Sequence, residues 1–187
     1  MVKPERVRRQ QLMRQAEGYL ELCLAGDEWG GATTAVRDRL VDRGLECLEE
    51  LEPKPSIRAH LFRLRGQLLR VAERFDMAVD VLRQAVAAAP GDLSLYVSLG
   101  WCYKRLNRLD LAIEILEQAT DFEDKTGIIH YNLACYWALA GHVTVSIRHL
   151  AQAFEIDAEL RDLVANESDF DPIREHPDFQ SLMTVIV

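Results

Sequence analysis

At 187 residues, with 49% hydrophobic and 28% charged side chains, the chain is long enough for a sizeable core and has the make-up of a folded rather than a disordered protein. Its formal charge of −8 excludes a general nucleic-acid binder, because neutralising phosphates takes a dense lysine and arginine surface. The charge is uneven: residues 127–187 hold 3 basic and 9 acidic side chains, whereas residues 57–92 hold 6 and 4, so the C-terminal third is acidic and the middle mildly basic.

In chain order, Pro4 to about Leu24 reads as a helix, with Val7, Leu12, Ala16, Tyr19, Leu20 and Cys23 recurring at helical spacing. Arg6, Arg8, Arg9 and Arg14 cluster on it, either as a solvated face, the commoner case, or as a small nucleic-acid or membrane patch. Met1 to Gln15 is polar and arginine-rich with no apolar stretch. No signal peptide or membrane span is expected, and a cytoplasmic location follows. Trp29 sits in a turn before Gly30 and Gly31; it either packs back on its own domain or anchors a partner. Thr33 to Leu51 gives a second helix, closed by Pro53 and Pro55. Ser56 is a natural N-cap for a third helix to about Glu73, and Phe75 to Ala88 forms its partner. Asp92 is placed to cap a helix to Leu106, followed by Leu109 to Thr120, Thr126 to Ala140 and His142 to Ile156. Leu160 starts a further helix, and prolines at 172 and 177 mark two short turns.

No Gly-rich phosphate loop, nucleophile elbow or zinc-protease motif is present, so no enzyme and no cofactor are expected. His142 and His149 share a helix face and could meet Cys135 or His130 around a metal, but lone histidines on amphipathic helices are usually packing residues. Cys23, Cys47, Cys102 and Cys135 lie too far apart for a paired metal or redox motif and read as structural thiols.

The strongest signal is an echo at 34 residues. Gly66 recurs as Gly100, Ala78 as Ala112, Ala85 as Ala119, Phe62 as Tyr96 and Phe75 as Leu109. One further step puts Ala134 in the glycine slot, Leu150 after Leu82 and Leu116, and Ala153 in the last alanine slot. Such a period means helix pairs stacked on copies of themselves.

The residues carrying the echo resemble the tetratricopeptide repeat. Tyr96, Leu99, Gly100, Tyr103, Leu109, Ala112, Leu116 and Ala119 match one repeat; Phe62, Gly66, Leu69, Phe75, Ala78, Leu82, Ala85 and Pro90 match the one before. The third departs at Ser146, where a small alanine is expected, and at His130, where an aromatic is. The resemblance implies an all-α fold, a right-handed α-α superhelix of antiparallel helix pairs. The expected organisation is one domain: a degenerate capping pair over 1–55, repeats over 59–92, 93–126 and 127–158, and a C-terminal module over 159–187. That module resembles the end-of-group module of some bacterial arrays, with Phe170, Ile173, Phe179 and Leu182 able to cover the last apolar face.

The resemblance also implies a partner-binding concave groove lined by the first helix of each pair. Its slots fall on His60, Arg63, Gln67 and Arg70, then Trp101, Lys104 and Arg105, then Tyr131 and Asn132. These include four cations and no acid. A carboxylate clamp for chaperone tails is not expected, since Ser98, Ile128 and Asn132 replace residues the clamp needs. Two readings survive: an adaptor taking an acidic segment of another protein, with no nucleic-acid or membrane partner, and a self-assembling homo-oligomer in which acidic C-terminus meets basic groove.

Overall fold

The computed structural model describes residues 4–28, 33–122 and 126–184, which leaves Trp29, Gly30 and Gly31 outside the described residues. Those residues form helices joined by short turns, and the fold is all-α: α1 (Pro4–Glu28), α2 (Thr34–Glu49), α3 (Arg58–Val71), α4 (Phe75–Ala88), α5 (Leu93–Arg105), α6 (Leu109–Thr120), α7 (Gly127–Leu139), α8 (Val143–Ile156), α9 (Leu160–Leu163) and α10 (Pro177–Thr184), with 3-10 helices at Val164–Asn166 and Ser168–Ile173. No helix among them is long and apolar enough to cross a membrane.

Two compact units divide the chain within α5, at Met1–Cys102 and Tyr103–Val187. In the first, α1 packs on α2 and α3 on α4, with α3 also touching α1 and α2. Its core runs through Met13, Ala16, Leu20 and Cys23 of α1, Val41 and Leu48 of α2, and Leu61, Leu64 and Leu68 of α3. In the second, α7 packs on α8 and on α6.

Close helix approach explains the small residues of the echo. Ala78, Ala85, Ala112, Ala119, Ala134 and Ala153 are all fully buried, because a methyl is the most a close helix contact accommodates. The turn between paired helices repeats too. Glu73, Asn107 and Gly141 all have positive φ, at 58°, 57° and 79°. The following amide donates five residues back each time: Arg74 to Leu69, Arg108 to Tyr103 and His142 to Trp137. This is a left-handed helix stop used three times at 34-residue spacing, with glycine at only one of the three positions.

Two irregular residues of the third repeat are accommodated. The Ser146 hydroxyl donates to the carbonyl of Ala134 at 2.7 Å, so the residue stays fully buried with its polar atom satisfied. His130, also buried, stacks on His149 with Nδ1 atoms 3.2 Å apart. Asp92 caps α5 as expected, accepting from the Ser94 amide at 3.2 Å. Ser56 does not cap α3. Ile57 holds that position, and the Lys54 carbonyl, fixed between two prolines, accepts from the Ile57 and Arg58 amides, a backbone turn in place of a hydroxyl.

Burial, then the charges of His130 and Arg148, push the His149 imidazole down to about 4 from an ordinary 6.5. Between those values the unfolded chain binds a proton that the folded chain refuses. The stability present above pH 6.5 is therefore lost as pH falls towards 4. Melting curves taken from pH 7 to 4.5 are expected to fall more steeply for the parent than for His149→Gln, and equal slopes would assign the acid sensitivity elsewhere.

Candidate partner-binding surface

Side chains three and four apart share a helix face, so α3 presents His60, Arg63, Gln67 and Arg70 together. His60 is held from both sides: Arg63 lies 2.8 Å from its Nδ1 and Glu17 of α1 lies 2.9 Å from its Nε2. A guanidinium can only donate, so Nδ1 accepts and Nε2–H donates to Glu17. Glu17 is thus a residue of this face that the repeat register did not reveal. Beside it, a cleft of about 530 Å³ opens between α1 and the start of α3, bordered by Arg6, Arg9, Arg14, Ile57 and His60. Arg8 instead pairs with Glu50, and among the described residues no acid pairs with Arg6, Arg9 or Arg14.

Farther along α3, the Arg70 guanidinium lies over the Trp101 ring, 5.2 Å from its centre, and Phe75 meets the same indole edge-on at 5.4 Å. The Arg70 Nε is buried and has no hydrogen-bond partner. Gln67 is half-buried alongside.

In the second unit the predicted groove residues are already engaged. Lys104 pairs with Asp169 at 2.5 Å, both largely buried, and lies above the Tyr136 ring. Tyr131 is only 5% exposed, because Phe170 meets its ring edge-on at 5.7 Å. The Asn132 amide donates to the carbonyl of Ile128 on its own helix; Arg105 is exposed. The 3-10 helix Ser168–Ile173 thus lies along the face of α7 that carries the groove slots. An acidic residue followed by an aromatic fills a site built of cation and aromatic.

The segment is held from behind. Arg174 donates to Asp171 and to the carbonyls of Val164 and Glu167, and the Asp169 amide donates to Glu167. Phe170, Ile173 and Phe179 are buried, with Leu182 half-buried. The place of Phe170 against Tyr131 on α7 is what the sequence did not reveal.

Cys135, Glu167 and Asp169 bring their ligating atoms within 4.8 Å of one another, the group among the described residues with the nearest metal-ligand geometry. Its chemistry argues against an ion: the Lys104 ammonium already neutralises Asp169, and burial followed by the two carboxylates drives the Cys135 thiol far above its ordinary range. Burial also pushes Tyr131 well above the usual phenol range and Cys102 up to about 11, so the Cys102 and Cys135 thiols stay protonated. His142 meets Trp137 rather than His149.

Residues 70–132 match the model of the tetratricopeptide repeat. That stretch carries the tetratricopeptide repeat. Its fold is shared with solved structures of MamA. One, "MamA MSR-1 C2", is 22% identical over 82% of this chain and 96% of that one, with a TM-score of 0.57. Another, residues 41 to the end of MamA from Desulfovibrio magneticus RS-1, is 22% identical over 77% and 76%, with a TM-score of 0.60. A third, "MamA AMB-1 P212121", is 21% identical over 81% and 91%, at 0.57. At such identity the likeness is one of fold. No curated protein matches by sequence. Tetratricopeptide repeats are a protein-interaction scaffold, and the arrangement of paired helices described above is theirs.

Proposed function

We propose that this protein is a non-enzymatic, cytoplasmic adaptor whose repeats take an acidic segment of another protein, with the groove-facing cations steering it and Trp101 supplying the buried contact. The observation that carries the reading is the set of cations on the first unit's groove face: Arg63 and Arg70 on α3, with Arg6, Arg9 and Arg14 bordering the adjoining cleft. The one acid beside them, Glu17, is taken up by His60, and an excess of one sign raises the encounter rate with an oppositely charged segment. His60 and Gln67 complete the proposed surface of the first unit; Lys104, Arg105, Tyr131 and Asn132 are the corresponding proposed residues of the second, where Lys104 and Tyr131 reach a partner only if the chain's own Asp169 and Phe170 move aside.

A fluorescent peptide of mixed glutamate and leucine, titrated at low and high salt, tests this. Binding is expected at low salt and weakens as salt shortens the screening length below about 8 Å. Trp101→Ala is expected to cost about 2 kcal/mol, as at a central hot spot, and Arg105→Ala under about 1. Full affinity in the double charge reversal Arg63→Glu and Arg70→Glu overturns the reading.

Self-assembly is the second reading, favoured by Asp169 and Phe170: a segment that fits its own chain also fits a neighbouring copy. Light scattering separates the two. The adaptor reading expects one mass at all concentrations, and oligomers that grow with concentration and dissolve in salt support assembly.

A further inference from the structure

The repeat turns the self-contact of the second unit into a statement about the first. Thirty-four residues before Lys104 stands Arg70, and thirty-four before Tyr131 and Cys135 stand Val97 and Trp101. Tyr131 and Cys135 are four apart on one face of α7, as Val97 and Trp101 are on α5. In the later site the cation is the last-turn residue of one first helix, and the aromatic stands on the first helix of the next pair. In the earlier site the cation holds the same slot, and the aromatic has moved one turn along the same face.

We propose that Arg70 and Trp101 form a second copy of the site made by Lys104 and Tyr131, and that its ligand is a partner segment in which a carboxylate stands directly beside an aromatic, as Asp169 stands beside Phe170. This rests on the adaptor reading and names the partner's motif. The chemistry is preorganised. A guanidinium stacks its face on an aromatic while its edge receives a carboxylate, and Arg70 already lies over the indole at 5.2 Å with its Nε buried and without a partner. A carboxylate placed at that edge supplies the missing acceptor, and an adjacent aromatic ring reaches the surface formed by Trp101 and Phe75, which meet edge-on. A lysine at this slot would offer a point charge; arginine offers both the stacking face and the donor.

The probe is a labelled peptide of residues 165–175, which carries Asp169 and Phe170 in their natural order, added to the full chain and followed by anisotropy. Saturable binding is expected, weakened about tenfold or more by Arg70→Gln and by Trp101→Phe, and unchanged by Lys104→Gln. Alanine in place of either the aspartate or the phenylalanine of the peptide is expected to cause a similar loss. Trp101→Phe and Arg70→Gln are chosen to keep the fold, and their melting curves check it. A peptide of the same composition with aspartate and phenylalanine separated decides the motif. If it binds equally well, the acidic-partner reading stands and the motif falls. If neither peptide binds, both fall. Loss of binding in Lys104→Gln alone would mean that the peptide exchanges with the chain's own segment, and would overturn the Arg70 site.

Discussion

Replacing Phe170 with alanine is expected to cost about 3–5 kcal/mol, the range for deleting a buried aromatic ring that its surroundings cannot refill. The ring is fully buried. It meets Tyr131 edge-on and Phe179 at an angle, each with centres 5.7 Å apart, so two further aromatics lose a packing face with it. The effect should spread. Without the ring, Tyr131 gains water, and the 3-10 helix Ser168–Ile173 loses the anchor that holds Asp169 against Lys104. For a domain whose stability lies at about 5–15 kcal/mol, a loss of this size shows as a large drop in the denaturation midpoint. Leu163→Ala is the control, because that side chain is half exposed. A Phe170→Ala midpoint close to the control's would mean that the C-terminal segment is not part of the folded unit.

Much of this architecture was legible in the sequence because repetition carries information that single residues do not. The alanines at 78, 85, 112, 119 and 153 mean close helix approach only when read against one another, and all are buried. The helix stops were half legible. Gly141 looks like a left-handed position, whereas Glu73 and Asn107 do so only once the turn is seen to recur at 34-residue spacing. Register also names the face on which a residue lies, which is why His60, Arg63, Gln67 and Arg70 stand together on α3. What covers a face is a different matter. Tyr131 held a groove slot, and nothing in its neighbours along the chain says that Phe170 lies against it, because 38 intervening residues leave many paths open to the C-terminal module. One clue was present: the most acidic stretch of the chain follows the repeats whose groove slots are basic. Contact between His130 and His149 was hidden for a related reason, since the repeat pattern places each on its own helix but does not say that two imidazoles replace one aromatic ring.

The self-contact also constrains how an adaptor of this kind works. A partner that competes for Lys104 and Tyr131 must repay the loss of a buried ion pair and of ring contacts, whereas one that binds at Arg63 and Arg70 leaves those contacts in place. Affinity is set by that surplus rather than by area. On the proposed adaptor reading, a modest acidic segment is therefore expected on the first unit, with the second unit's Asp169 and Phe170 left in place.

Gly66 gives the sharpest test of the repeat register. A methyl added there would lie 2.6 Å from Leu82 Cδ2 and 2.7 Å from its Cγ, and Leu82 is fully buried, so its side chain must shift against packed neighbours. Two effects compete in Gly66→Ala: alanine favours the helix by about 1 kcal/mol, and the clash costs about 1–3. The net expectation is a loss, and Gly66→Leu, with three more carbons, is expected to exceed it by several kcal/mol or to unfold the first unit. Gly18, in α1 with nothing within 4 Å, is the reference: Gly18→Ala is expected to gain up to about 1 kcal/mol from the same propensity. The decisive measurement is a double-mutant cycle. Leu82→Ala alone should cost about 2–5 kcal/mol by leaving a cavity, but Gly66→Ala placed in that cavity no longer clashes. The pair should therefore cost clearly less than the sum of the singles, as contacting residues do. Strict additivity would mean that Gly66 and Leu82 do not meet across the α3 and α4 pair.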